Sequence, residues 1–454
     1  MIAFTIAYCN RVDNFGLYLV YTFLLALLLQ AAADLRVSAY LKFLVGLFVL
    51  GNWLKVTLHG IFQYPYVEPT GFFIGTVDQW DKYFFISIQI TIALLISVGM
   101  NTFAPRVQKI KSGLDMEVLA SKFFYQVSVL FIFLIYALNW QFGFYRIGIG
   151  RELDLPFGLN APASFMVYSL APMLTALLVT RSVVRRKRVT TVALLGIACV
   201  TIIAAISTYS RAPIATMMLP IVLGAYKTSH KLNGRPQSKA GLIIVLAPTT
   251  FLLLVAVSVL RILTYGNVQV ITDTAVNIYF WQSLGLFVDR WIGAEGLMVS
   301  VSSNQSIDLF FNMLVENPAA GVQSIYQHLS NSHYLGLDLS NMTFLTLPGA
   351  FSLLSFSGSS AFVFFGVLMI SGCGVFIEEI MKRCFRGHHA IIFLISGSFA
   401  YHFSQMIFPR LFMPFVVQVL FFATMLGLIY RRSSTARLQR GIKRNCVPQH
   451  QALG

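Results

Sequence analysis

Residues 191–226 read TVALLGIACVTIIAAISTYSRAPIATMMLPIVLGAY. Two apolar runs, VALLGIACVTIIAAI and TMMLPIVLGAY, flank a short polar turn, STYSRAPIA (207–215). Each run approaches the ~20 apolar residues that carry an α-helix across a bilayer. A turn of a few residues joins them, so the chain crosses, reverses and crosses back. Arg211 is the one charged residue in the stretch.

The same pattern recurs along the whole chain. Of its 454 residues, 57% are hydrophobic and only 11% are charged, against roughly 25% charged in a soluble domain. The composition predicts an all-α, polytopic integral membrane protein. Runs of this length satisfy their backbone only as helices, whereas a barrel alternates in pieces of roughly ten residues. The spacing predicts eleven crossings near 15–33, 39–58, 83–101, 123–144, 161–180, 191–207, 212–226, 241–260, 357–379, 389–408 and 412–430. Pro213 and Pro220 are expected to bend the short seventh. The chain thus divides into residues 1–260 with eight crossings, a long external loop over 261–356, three crossings over 357–430, and a basic tail over 431–454.

The net charge of +16 is not spread evenly. Sorted by the loops these crossings create, 24 of the 33 Lys and Arg fall on one side, and 12 of the 17 acids on the other. That asymmetry is the positive-inside rule, and it argues against a nucleic-acid surface. The basic side, with the C-terminus, is expected to be cytoplasmic, and the N-terminus external. Cys9, Cys199, Cys373, Cys384 and Cys446 are scattered and odd in number, which predicts neither a disulfide framework nor a metal site. No cleavable signal peptide is expected. No Walker motif and no core-sized cytoplasmic domain is visible, so neither ATP hydrolysis nor a soluble sugar-nucleotide site is expected. No internal repeat of the transporter kind is visible either.

A loop as long as 261–356 is usually functional. WQSLGLFVDRWIGAEGLMVSVS (281–302) reads as one helix, with Leu284, Phe287, Val288, Trp291, Ala294 and Met298 on one stripe and Gly285, Asp289, Gly293 and Gly296 on another. SIDLFFNMLVENPAAGVQSIYQHL (306–329) reads as a second helical region broken at Asn317-Pro318. These helices are expected to pack on the outer membrane surface. TLPGAFSLLSFSGSS (346–360) reads as an irregular, re-entrant lead into the ninth crossing.

Nine cations fall on the outer side, and seven are arginine: Arg11, Arg146, Arg151, Arg211, Arg261, Arg290 and Arg410, beside Lys55 and Lys82. The planar guanidinium matches phosphate and carboxylate geometry. Arg211 (YSRAP), Arg261 (SVLRILTYG), Arg290 (DRWIGAEG) and Arg410 (FPRLFMP) lie at helix ends or in the long loop. If they converge, they form an external pocket for a polyanion. Otherwise each snorkels to lipid phosphate, and Arg290 pairs with Asp289 or Glu295. The outer histidines are His59, His328, His333 and His402, and Asp289, Glu295 and Asp338 are the neighbouring carboxylates. His402, inside the tenth crossing, is a functional candidate by position; a hydrogen bond to a helix carbonyl or a tyrosine is the commoner role.

With STYSRAPI (207–214) on an outer turn, DRWIGAEGLM (289–298) in the long loop and TFLTLPGAFSLLSFSGSS (343–360) before the ninth crossing, the chain resembles the Wzy-type O-antigen polymerases. The resemblance is architectural and poor in motifs. It implies a GT-C-like membrane glycosyltransferase in the bacterial inner membrane. Such an enzyme joins undecaprenyl-diphosphate-linked oligosaccharide repeat units on the periplasmic face and releases undecaprenyl diphosphate. The partners implied are those lipid-linked oligosaccharides, membrane lipid and a chain-length regulator protein. Arg211 and Arg290 would clamp the leaving diphosphate, with Arg261 and Arg410 next. His333 is the first candidate for the base, with Glu295 and Asp289 as alternatives. Tyr209, Ser210, His328 and His402 would support them. No cofactor is implied, and DQWD (78–81) lacks the spacing of a divalent-metal pair. The competing functions are an O-antigen ligase and a lipid-linked oligosaccharide flippase.

Overall fold

The computed structural model describes residues 1–10, 15–63, 66, 68–103, 122–146, 155–156, 159–234, 240–265, 293–316, 324–332, 335, 348–385 and 388–405. Every regular element among them is helical. Among the described residues, seven helices are long and apolar enough to cross a membrane: Gly16–Ala33, Ala39–Phe62, Val77–Phe103, Tyr125–Phe142, Pro162–Arg186, Thr191–Thr208 and Ser360–Cys384. Their outward faces are apolar. Gly16–Ala33 buries Tyr18, Tyr21, Leu25 and Leu28 while exposing Leu19, Val20, Phe23 and Leu27. Ser360–Cys384 buries Val363, Val367 and Ile370 while exposing Phe365, Met369 and Phe376. Apolar side chains on both faces of long helices suit hydrocarbon rather than water. The chain is a multi-pass membrane protein.

In chain order the helices are α1 (Ile2–Cys9), α2 (Gly16–Ala33), α3 (Ala39–Phe62), α4 (Val77–Phe103), α5 (Lys122–Phe142) and α6 (Asn160–Phe165 continuing through Ala171–Arg186). After them come α7 (Thr191–Thr208), α8 (Ile214–Met218 continuing as Leu219–Asn233), α9 (Ala240–Tyr265), α10 (Ala294–Ser302) and α11 (Ile307–Val315). The last are α12 (Ile325–Leu329), α13 (Ala350–Ser355), α14 (Ser360–Cys384) and α15 (His389–Gln405). Helix α1 was not expected from the sequence. The eleventh crossing, 412–430, and the tail, 431–454, lie outside the described residues.

Helix α15 is the centre of the bundle, packing on α3, α6, α8, α13 and α14. Ala390, Ile391, Leu394, Ile395, Phe399 and His402 are all buried along it, as befits a helix apolar all round. Small residues bring its neighbours close. A Cβ on Gly224 of α8 would lie 2.5 Å from the Ala390 Cα, and one on Gly397 would lie 2.5 Å from the Pro220 Cγ.

Helix α3 is tied to α14 by a carboxylate. The buried Glu378 accepts from the backbone N–H of Ala39 (3.1 Å) and of Tyr40 (2.7 Å) and from the Ser396 hydroxyl (3.2 Å). Ser38 caps the next free amide, Leu41 N–H, at 3.2 Å. An anion at a helix N-terminus satisfies amides that have no partner within the helix.

The long loop departs from the sequence expectation. Gly293 is not helical, and α10 begins only at Ala294, so 281–302 is not one continuous helix. Nor does α10 lie on the outer surface: residues Ala294 through Ser300 are all buried. It packs against α13, whose six residues are buried as well. A Cβ on Gly296 would lie 1.9 Å from the Pro348 carbonyl oxygen, and the Ser300 and Ser355 hydroxyls are 2.6 Å apart. Glycine and serine at this contact let two short helices touch at backbone distance. The stretch 346–360, expected to be irregular, contains a helical turn at α13.

Candidate functional site

The α7–α8 turn is built by its own polar residues. Tyr209 ends α7 in the left-handed conformation, at φ 49° and ψ 33°, and Ser210 N–H returns to the Ala205 carbonyl at 3.0 Å. The Ser210 hydroxyl then accepts from Ala212 N–H at 3.1 Å. A left-handed residue with a Cβ costs about 1–2 kcal/mol, so something must hold Tyr209 there. Its buried ring lies 5.7 Å from that of Trp140, and the Arg146 guanidinium sits 5.0 Å from the ring centroid.

Asn139 places Arg146. Its fully buried amide donates to the Ser207 carbonyl (2.8 Å), the Ser207 hydroxyl (2.7 Å) and the Tyr145 carbonyl (3.1 Å). Its oxygen accepts from Tyr145 N–H at 2.8 Å. The end of α5 is thereby stapled to the end of α7. Arg146 also donates to the Trp140 carbonyl. The structure so brings Arg146 against the turn that carries the half-buried Arg211.

From the same staple a chain of side-chain contacts continues to α6 and α15. The Tyr145 ring lies 5.2 Å from that of Tyr168, and the Tyr168 hydroxyl is hydrogen-bonded to Nε2 of His402. Tyr168 stands in a π-helical segment of α6, Met166–Leu170. Another π segment, Ile214–Met218, follows the Arg211 turn in α8. A π segment shifts the register of the side chains that follow it and is frequent at functional sites.

A second polar cluster joins α3 and α10. Lys55 Nζ lies 2.5 Å from Glu295 Oε1, both side chains being almost wholly buried. Lys55 follows a third π segment, Val49–Leu54, which carries the buried Asn52. A Cβ on Gly293 would lie 2.6 Å from the Asn52 amide nitrogen and 3.1 Å from the Gly51 carbonyl oxygen, so glycine lets the start of α10 come close to α3. Burial pushes the Glu295 carboxyl above its ordinary range, and the Lys55 ammonium partly offsets that rise.

The turn of Tyr209, Ser210 and Arg211 is therefore linked to His402 through Arg146, Tyr145 and Tyr168, while Glu295 belongs to the second cluster. His328 is exposed on α12, where Ser324 and Gln327 form a capping box. Asp289, Arg290, His333 and Arg410 lie outside the described residues, as does the side chain of Arg261, whose backbone continues α9. Arg146, Asn139, Tyr168 and Lys55 were not picked out as site residues from sequence. Arg146 had one signal, its place among the outer arginines. Among the described residues, no group of three or more His, Cys, Asp or Glu stands together as a metal site.

No family model, curated protein or solved structure matches this chain. Fold and site define a multi-pass helical membrane protein with arginines and a Tyr–His pair gathered at one end of its bundle.

Proposed function

We propose that the protein is a lipid-diphosphate-dependent glycosyltransferase that polymerises undecaprenyl-diphosphate-linked oligosaccharides. In this reading it crosses the bacterial inner membrane eleven times, with the Arg211 turn on the periplasmic face and the C-terminus in the cytoplasm. The observation that carries the proposal is the Arg146 guanidinium over Tyr209, two residues before Arg211. Two permanent cations at the polar end of an apolar bundle suit a ligand with a charged head and a lipid tail.

The chemistry follows from that ligand. An acceptor-sugar hydroxyl attacks the anomeric carbon of the donor. The bond from that carbon to the diphosphate oxygen breaks, and the electron pair leaves on the diphosphate. Guanidiniums placed where this charge develops stabilise the transition state. Arg211 and Arg146 take this role, joined by Arg290, Arg261 and Arg410. The diphosphate linkage supplies the driving force, so the reaction needs no ATP.

The test is complementation of a polymerase-null host, with the surface glycan read as a gel ladder. The wild-type gene restores a ladder, and Arg211→Ala leaves a single repeat unit on lipid A core. Glycan lost from the core while lipid-linked polymer accumulates would identify a ligase instead. A normal ladder from Arg211→Ala would remove that residue from the mechanism.

A further inference from the structure

We infer that Tyr168 and His402 are the proton-accepting pair of the transfer, with the Tyr168 hydroxyl meeting the acceptor sugar and His402 behind it. This rests on the glycosyl-transfer reading. The pair joins α6 to α15 across 234 residues of sequence. Its two members differ in access: Tyr168 is half-buried, while His402 is 7% exposed. Of the two side chains, Tyr168 is the more exposed.

Position ties the pair to the arginines. Tyr145 packs on the Tyr168 ring, and the next residue, Arg146, covers Tyr209 at the Arg211 turn. Thr216, in the π segment just after that turn, and Ser398 of α15 also present hydroxyls to Tyr168. Proton acceptor and guanidiniums thus lie along one chain of contacts, within which attack and departure take place at a single atom, the anomeric carbon.

The step balances. The acceptor hydroxyl gives its proton to Tyr168 Oη as its oxygen bonds to the anomeric carbon. Tyr168 passes its own proton to Nε2 of His402, which must be the neutral tautomer with hydrogen on Nδ1. The diphosphate departs with the bonding pair, leaving imidazolium and free lipid diphosphate. Glycosyl transfer runs through an oxocarbenium-like transition state. The attacking hydroxyl therefore becomes acidic as its bond forms, and a neutral imidazole suffices as base.

The test uses the full-length protein in proteoliposomes with a synthetic undecaprenyl-diphosphate-linked repeat unit. Tyr168→Phe keeps the ring and removes the relay oxygen. His402→Gln keeps an acceptor for the phenol and cannot hold the proton. Each is expected to lower kcat about 100-fold, a usual size for a lost proton transfer, with KM within about twofold. The double variant should be no worse than either single variant, because the two act as one unit. Thermal melting of the detergent-solubilised variants should match the wild type. Wild-type turnover by Tyr168→Phe overturns the inference. So do losses that multiply in the double variant, or a raised KM at unchanged kcat, either of which assigns the pair to packing. A wild-type protein that is inert on this substrate overturns the transfer reading, and the inference with it.

Discussion

Lys55 and Glu295 form a buried ion pair, Nζ to Oε1 at 2.5 Å, that joins α3 to the first turn of α10 across 240 residues of sequence. Neither charge has ready access to water, so each is tolerated because of the other. Replacing Lys55 with Met strands the carboxylate and is expected to cost about 3–5 kcal/mol. Pairing Lys55→Met with Glu295→Gln should recover most of that loss. Thermal unfolding in detergent measures both, and a double variant as unstable as the single would refute the pairing argument.

At the α7–α8 turn, Arg211→Ala and Arg146→Ala are each expected to lower polymer synthesis about 100-fold, the scale of a lost transition-state donor. Arg211→Lys keeps the charge and loses the planar fork, so its activity should fall between wild type and Ala. Chain synthesis in membranes, normalised to protein level, decides the order.

Asn139 holds four polar atoms of Ser207 and Tyr145. Asn139→Leu matches its bulk and takes the partner from the Ser207 carbonyl and the Tyr145 backbone groups, at about 1–3 kcal/mol for each buried group left unsatisfied, while the Ser207 hydroxyl keeps the Tyr136 carbonyl. The variant should melt lower and lose activity, because Arg146 is no longer held over Tyr209. Full activity at a lowered melting temperature would show that the staple does not place Arg146.

Gly296→Ala puts a methyl group 1.9 Å from the Pro348 carbonyl oxygen, a backbone atom that cannot swing aside. Overpacking of this kind costs about 1–3 kcal/mol or more. Cysteines placed at Ser300 and Ser355, whose hydroxyls are 2.6 Å apart, should cross-link in the wild-type background and lose that cross-link with Gly296→Ala.

Helix α3 offers a stability test at residues outside the Arg211 turn. Glu378→Ala leaves the Ala39 and Tyr40 amides without their acceptor. The expected loss is about 2 kcal/mol, within the range for a removed cap. Glu378→Gln keeps one acceptor oxygen and should lose less. Equal melting temperatures for the two variants would refute the capping role.

The long apolar helices were legible because hydrophobicity is a local property: α2, α4, α7 and α14 follow directly from their runs. Arg211 was legible for the same reason, as a lone charge in a short turn between two such runs. The Tyr168–His402 and Lys55–Glu295 pairs were not, because each joins residues more than 200 positions apart. Nothing within a window of a few turns reports on such a partner. The π segments were hidden too, since their widened hydrogen-bond spacing answers to packing against neighbouring helices. The burial of α10 was misread because its glycine stripe fits both a surface helix and a close-packed one.

By itself, then, the amino-acid order determined that this chain is a helical, multi-pass membrane protein with an arginine-bearing turn. Transfer of apolar side chains out of water depends on composition and length alone. Which polar groups meet at the end of the bundle was decided only in three dimensions. The ends of α5 and α7 had to be stapled by Asn139 before Arg146 could reach Tyr209, and α6 had to pack on α15 before Tyr168 could meet His402. Hydrogen bonds and ion pairs depend on distances of about 3 Å, and only the packed bundle sets those.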